Sequence, residues 1–296
     1  LFPMDYVGRI IRPPSEAESL LVQVTVGCSH NKCAFCGAYK DKRFAIKDPA
    51  VVARDLDEAA ACEPDTRRVF LCDGDALILP QARLLGLLEA IRAKLPRVRR
   101  VAAYANAKAV RLKSDAELRD LAAAGLGRAY LGLESGSDAV LAAMGKGSDV
   151  AQQVEAVQRL KAAGIKVNVT VLLGLGGDGA GEDGWEAHAR ATGRALTAMD
   201  PDQAAALTLM LIPGTPLFAA AQAGSFRLPG PAGMLRELRL LLAETDLSRG
   251  LFLANHGSNY LPLALRLPRD KAAALARIDA ALAGRVPLTP ESRRRL

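Results

Sequence analysis

Three cysteines crowd one short stretch of the chain: Cys28, Cys33 and Cys36, spaced C-x4-C-x2-C within V-T-V-G-C-S-H-N-K-C-A-F-C-G-A-Y. Three thiols this close cannot pair into disulfides without leaving one over, but three thiolates can converge on one soft metal centre. A structural zinc site closes its shell with four protein ligands. His30 is a possible fourth, yet it lies inside the C-x4-C span, where ring and thiolates would struggle to face one metal. No second C-x-x-C pair exists in the sequence. Three thiolates suit a four-iron iron–sulfur cluster whose fourth iron stays open to an outside ligand. Zinc and unliganded thiols are the alternatives.

The elements around the cysteines must position them. An apolar, β-prone run, Leu20 to Val26, leads straight in, so the thiols lie on a loop leaving a strand. Asp48-Pro49 then reads as N-cap and first turn of a helix to about Cys62. A strand Arg68–Cys72 delivers Asp73-Gly74-Asp75, and a helix from Pro80 to Lys94 follows. The strand Val101–Tyr104 leads to Asn106. Ser114 and Glu117 form a capping box for a helix ending at Gly125. The strand Arg128–Leu133 delivers Glu134-Ser135-Gly136-Ser137, and helices near Asp138–Met144 and Val150–Ala163 come next. The strand Val167–Leu173 opens into a glycine-rich loop, Gly174 to Gly184, before a helix Trp185–Met199. The strand Ala205–Leu211 ends in Pro213-Gly214-Thr215-Pro216. Six such alternations mean βαβ units and a parallel sheet. The special residues all follow strand C-termini, the face where open α/β sheets and barrels alike place their sites.

Composition narrows the class. Half the residues are apolar but only 4% are aromatic, so Leu, Ala and Val must fill the core. No run approaches ~18 apolar residues and no signal-peptide pattern opens the sequence, so a cytoplasmic protein without a membrane span is expected. With Cys62 and Cys72 the cysteines number five, an odd count that points to a reducing compartment; both read plainly as small buried residues. Cys72 is also a catalytic candidate, because it ends a strand on the presumed active face. Net charge is +7, with clusters at Arg97–Arg100 and Arg293–Arg295. No aromatics interleave with them as a nucleic-acid platform requires, so solvated faces and a frayed tail are the plainer reading, with nucleic acid as a lesser partner.

With aromatic Phe35 just before the last thiol, the cysteine loop resembles that of radical S-adenosylmethionine (SAM) enzymes, whose usual C-x3-C-x2-C is one residue shorter. The segment G-L-E-S-G-S-D-A-V-L-A-A-M-G-K-G, Gly132 to Gly147, resembles the fourth-strand motif of the branch holding methylthiotransferases and many cobalamin-dependent members. The resemblance implies an α/β fold, a partial (β/α)6 TIM-like barrel over residues 1–217, with a mainly helical C-terminal extension over 218–296 that leaves no room for a cobalamin domain. It implies a [4Fe-4S] cluster on Cys28, Cys33 and Cys36, with SAM on the open iron and Phe35 beside it. One electron would cleave SAM to a 5′-deoxyadenosyl radical that takes hydrogen from a substrate. Glu134 and Ser135 would lie along SAM. Asp73-Gly74-Asp75 stands where the family has a G-G-E motif for the methionyl ammonium, with Asp replacing the first Gly and the Glu. The loop at Gly174 would skirt SAM, and Pro213 would lie near the adenine. The partners implied are a small-molecule substrate and an external electron donor such as flavodoxin or ferredoxin.

Three further readings complete the expectations. Gly174 to Gly179 also fits the dinucleotide pattern G-x-G-x-x-G, but it lies in the fifth unit and lacks the acid after the following strand. Tyr104 and Asn106 at the third strand tip, with Asn255, His256, Asn259 and Tyr260 in the extension, are candidates for a substrate wall. The rival functions are an RNA-modifying enzyme of the same kind and a non-catalytic iron–sulfur or zinc protein that senses redox state or scaffolds a partner.

Overall fold

The computed structural model describes residues 4–179 and 184–295, so part of the expected glycine-rich loop, 180–183, lies outside the described residues. Strand β1 (Leu20–Gln23) precedes an antiparallel ribbon of β2 (Thr25–Val26) and β3 (Ala45–Ile46), and the three clustered cysteines fall in the connection between those two. The chain continues through α1 (Pro49–Cys62), β4 (Arg68–Cys72), α2 (Gln81–Lys94) and β5 (Arg100–Ala105). Next come α3 (Ala107–Arg111), α4 (Asp115–Ala123), β6 (Leu126–Glu134), α5 (Asp138–Ala143), α6 (Val150–Ala162) and β7 (Lys166–Leu173). Then follow α7 (Trp185–Met199), β8 (Gln203–Thr208), α8 (Pro216–Gln222), α9 (Pro231–Ala243), β9 (Gly250–Leu253), β10 (Ala264–Leu267) and α10 (Lys271–Leu282). The main sheet has the order β1-β4-β5-β6-β7-β8-β9-β10 and is parallel in every register given except β9–β10. This is the mixed α/β alternation of a partial TIM-like barrel.

The chain divides into two compact units. One comprises Leu1–Asn31, Ala38–Leu131 and Ala156–Val167; the other comprises Lys32–Gly37, Gly132–Glu155 and Asn168–Leu296. In the first, β4 is buried from Val69 to Cys72, which is why it reads as a continuous apolar run rather than an alternating one. One face carries Phe70, Cys72, Ala102 and Tyr130. On α2, Leu84, Leu88 and Ile91 form an i, i+4, i+7 stripe that is fully buried, each side chain contributing ~2 kcal/mol on leaving water. The expected caps are present: Asp48 accepts from Ala50 N at 2.8 Å, and Ser114 and Glu117 close a reciprocal capping box.

In the second unit β7, β8 and β9 run parallel and β10 returns antiparallel. Helices α9 and α10 match the expected helical character of the region past 217, and the division at 217 falls inside α8. Strands β9 and β10 also lie there. Each has only four residues, too few for a period-two pattern to stand out, and both are set by pairing with sheet neighbours. The expected frayed tail is corrected at Arg294. That residue is 8% exposed, donates to Ser258 O at 2.7 Å and to the Tyr260 hydroxyl, and lies 4.0 Å over the Tyr260 ring. No helix among the described residues is long and apolar enough to cross a membrane.

Candidate functional site

The first unit brings together the β4 tip, Cys28 and the start of α3. Both tip acids are fully buried, and they are held differently. Asp73 Oδ2 accepts from Gln23 Nε2 at 2.9 Å, Gly27 N at 3.0 Å and Lys42 Nζ at 3.0 Å. With Lys42 itself buried, this ion pair staples the segments before and after the cysteines to the strand end. Asp75 Oδ2 accepts from Ser29 Oγ and from Asn106 Nδ2 at 2.7 Å. In each acid the other oxygen, Oδ1, is buried and makes no hydrogen bond. Burial pushes the Asp75 carboxyl up to about 6, against the pull of its two hydrogen bonds and of Lys108 and Lys113.

Gly74 between them must be glycine: a Cβ there would stand 2.6 Å from the Tyr39 ring and 3.1 Å from Cys28 Cβ. Backbone and thiol thus lie side by side at the strand tip, with Tyr39 closing the flank. Asn106 is the N-cap of α3, its Oδ1 accepting from Ala109 N at 2.8 Å, so its amide is fixed at both ends. Tyr104 makes an edge contact with Phe70 at 4.9 Å, and burial raises its hydroxyl pKa well beyond the usual range. Cys72 is wholly buried, its thiol directed to Phe70 O at 3.6 Å and its pKa raised by burial. It therefore stays a neutral packed thiol.

In the second unit, Cys33 and Cys36 flank a turn closed by Cys36 N donating to Cys33 O at 3.3 Å. That turn is braced on both sides: Ala34 N donates to Met144 O at 2.8 Å, and Ala34 O accepts from Leu217 N at 3.0 Å. Phe35 is anchored in an apolar cluster with Val140, Met144, Leu175, Leu209 and Leu217. The segment that carries Glu134 therefore also supports the cysteine turn.

Glu134 ends β6 at φ 65°, a left-handed conformation, and its Oε1 meets Lys146 Nζ at 3.0 Å. Gly132 makes room for this pair, since a Cβ there would fall 1.9 Å from Glu134 Oε1. Ser135 is buried and caps the next turn through Ser137 N at 3.0 Å. Gly174 has φ 86° and donates its N–H to Glu237 Oε1 at 2.8 Å. Pro213 is exposed, in the turn before α8.

The expected substrate wall is largely committed to packing. Asn259 bonds Thr208 Oγ1 at 2.8 Å and Ala206 O at 2.9 Å, and Tyr260 donates to Glu291 at 2.7 Å. His256 is half-buried beside Ser258 at 2.9 Å, and burial lowers its pKa. Sequence reasoning assigned no role to Ser29, Tyr39, Lys42 or Lys146. For Ser29, Tyr39 and Lys146 a signal existed, since they lie inside the cysteine and Gly132–Gly147 segments.

The donor chemistry fits a cluster and a cationic cofactor. Thiolates are the ligands of four-iron clusters, Gly74 leaves a close approach beside Cys28, and Asp75 Oδ1 is a buried acceptor without a partner. Among the described residues no three His, Cys, Asp or Glu side chains are grouped to hold a single metal ion.

A sequence model described as "Radical SAM superfamily" matches residues 22–191, more than half of the chain. Among curated proteins none matches. Solved structures with a similar fold include methylornithine synthase (PylB), at 16% identity and TM-score 0.52, over 77% of this chain and 63% of that one. The methyltransferase TsrM from Kitasatospora setae, with cobalamin and a [4Fe-4S] cluster bound, aligns at 22% identity and TM-score 0.56, over 72% of this chain and 38% of that one. HemN of Escherichia coli, coproporphyrinogen III oxidase and a radical SAM enzyme, aligns at 17% identity and TM-score 0.55, over 76% and 51%. The chain thus spans less than two thirds of each of these proteins.

Proposed function

The chain belongs to the radical SAM superfamily, and on that premise we propose that it is an enzyme that cleaves SAM reductively and uses the resulting radical to abstract hydrogen from a small-molecule substrate. Enzymes of the superfamily use a [4Fe-4S] cluster and SAM, and in our reading Cys28, Cys33 and Cys36 would hold the cluster. When bound, the cluster supplies the electron that breaks the sulfonium bond of SAM and yields the 5′-deoxyadenosyl radical. An external low-potential protein, such as a flavodoxin or ferredoxin, is the proposed electron source, and a reducing cytoplasm is the proposed setting.

The observation that carries the reading is the unpartnered Asp75 Oδ1 at the β4 tip, three residues beyond a strand buried from Val69 to Cys72. A buried carboxylate oxygen without a donor is costly. A primary ammonium, such as the methionyl end of SAM carries, satisfies it with both charge and hydrogen bond. Ser29 and Asn106 orient Asp75 by occupying Oδ2, which leaves Oδ1 as the binding atom. Asn106 thereby positions Asp75. Glu134 and Lys146 present an acid and a base at the β6 tip, suited to the ribose hydroxyls and the carboxylate of the same ligand. Cys72, Tyr104 and Tyr260 are assigned to packing; His256 remains the substrate-side candidate.

The experiment is anaerobic reconstitution followed by iron analysis and a SAM-cleavage assay under strong reductant. About four irons per chain and production of 5′-deoxyadenosine are expected. Iron-free protein, or SAM cleavage retained in Cys33→Ala, would falsify the assignment. Salt-sensitive binding of transfer RNA would shift the substrate class to RNA.

A further inference from the structure

Two glycine-bearing loops of the second unit, at the tips of β6 and β7, are fastened to the same face of α7. Gly136 N donates to Thr192 Oγ1 at 2.9 Å, and that hydroxyl in turn donates to His188 O at 2.7 Å. A Cβ on Gly136 would lie 2.3 Å from Ala191 O, so the β6 loop is pressed onto the helix backbone. One turn away on α7, His188 Nδ1 meets Glu237 Oε1 at 3.0 Å, and the same oxygen accepts Gly174 N at 2.8 Å. A Cβ on Gly176 would lie 3.0 Å from His188 Cβ, and one on Gly174 would lie 2.4 Å from Met234 Cε.

His188 and Glu237 are both 0% exposed. Glu237 Oε2 and His188 Nε2 make no hydrogen bond. A buried acid with half its acceptor capacity unused is an expensive way to join two helices, since apolar side chains of the same volume do it at least as well. What Oε1 does, and an apolar side chain cannot do, is take the backbone N–H of Gly174 while holding the imidazole of α7.

We propose that His188 and Glu237 are positioning residues that set the separation of the β6 and β7 tip loops, with α7 as the common rail and α9 as the support. The inference rests on the reading that both loops border bound SAM, and it gives the region past residue 217 an indirect part in cofactor affinity. Glu237 reaches SAM only through Gly174, and His188 only through Glu237 and the loop glycines.

The test uses the full chain in three variants, with the SAM dissociation constant of the reconstituted protein and amide hydrogen exchange of the cluster-free protein as readouts. Glu237→Leu removes the acceptor and is expected to weaken SAM binding about tenfold, with bound iron unchanged. It should also speed exchange at 174–177 and, through α7, at 134–137. Glu237→Gln keeps an acceptor for Gly174 and is expected to restore affinity to within about twofold. A tenfold loss in the glutamine variant overturns the acceptor argument. His188→Leu is the second probe should Glu237→Leu fail to fold, with about a threefold loss expected. Exchange at 134–137 that stays at the wild-type rate in whichever variant folds overturns the linkage. Wild-type protein that takes up iron but binds no SAM overturns the proposed function instead, while the exchange experiment still decides whether the loops are coupled.

Discussion

The tips of β4 and β6 both end in a carboxylate, and the fold treats the two in opposite ways. At β4, Asp75 is fully buried, with one oxygen held by Ser29 and Asn106 and the other without a hydrogen bond. At β6, Glu134 keeps some exposure and is already neutralised by Lys146 at 3.0 Å. An unsatisfied buried acid gains a full interaction when a cation arrives, whereas a paired acid exchanges one partner for another. On the proposed function, the β4 tip would be the place where charge recognition yields affinity, and the β6 tip, with both signs of charge and less burial, would serve to orient the ligand.

The comparison breaks outright if no cluster is present for the ligand to meet. Cys28→Ala, Cys33→Ala and Cys36→Ala are each expected to reduce bound iron from about four per chain to near zero, measured after anaerobic reconstitution, and to leave both tips without SAM. Any one of them retaining full iron and its electron paramagnetic resonance signal removes that cysteine from the site.

Asp75→Asn is the next largest effect and carries two signs. Binding of SAM should fall about a hundredfold, the cost of removing one partner of a buried charge pair. The folded protein without cofactor should gain stability. A carboxyl raised to about 6 by burial binds its proton more tightly folded than unfolded, so the folding advantage of that proton is present below pH ~4 and lost as pH rises through 6. The asparagine variant should thus exceed wild type by up to ~3 kcal/mol at pH 8 and by little at pH 4, as read by denaturant unfolding. A variant less stable than wild type at pH 8 would show that Asp75 is compensated in the cofactor-free protein.

How much of this was legible in the sequence differs residue by residue. Spacing marked out the cysteine loop, and apolar runs with Asp48 and Ser114 as caps located six strands and most of the helices between them, because these signals are local. The split between Asp73 and Asp75 was not legible. Both stand in D-G-D and each keeps one buried oxygen without a hydrogen bond; only the arrival of Lys42 and Gln23 turns the first into a structural staple, while the second is held by the neutral groups of Ser29 and Asn106. His188 and Glu237 meet across 49 residues of chain, and neither sits in a motif. Arg294 looked like tail because its partners, Ser258 and Tyr260, are distant in sequence and come from a loop with no periodic signal.

At β6 the expected effects are smaller, and Gly132→Ala separates geometry from charge. Its Cβ would stand 1.9 Å from Glu134 Oε1 and 3.1 Å from Lys146 Nζ, so the pair must move although neither charge is lost. About a tenfold loss of SAM affinity is expected, between the effects of the two tip charges. No change in affinity would mean that the pair's placement is immaterial to the ligand.

Lys146→Met is the mildest change and makes the sharpest division between the tips. The lysine and its partner are 14% and 13% exposed, so solvent and salt reach them. An ion pair of that kind contributes ~1 kcal/mol or less, and about a threefold loss of SAM affinity is expected at low ionic strength. Screening should shrink that loss further in 0.5 M salt, where the Debye length is only about 4 Å. The Asp75→Asn loss arises behind a fully buried strand end and should persist at the same salt. If both losses vanish together, the β4 acid is as solvated as the β6 pair, and the division of labour between the two strand tips fails.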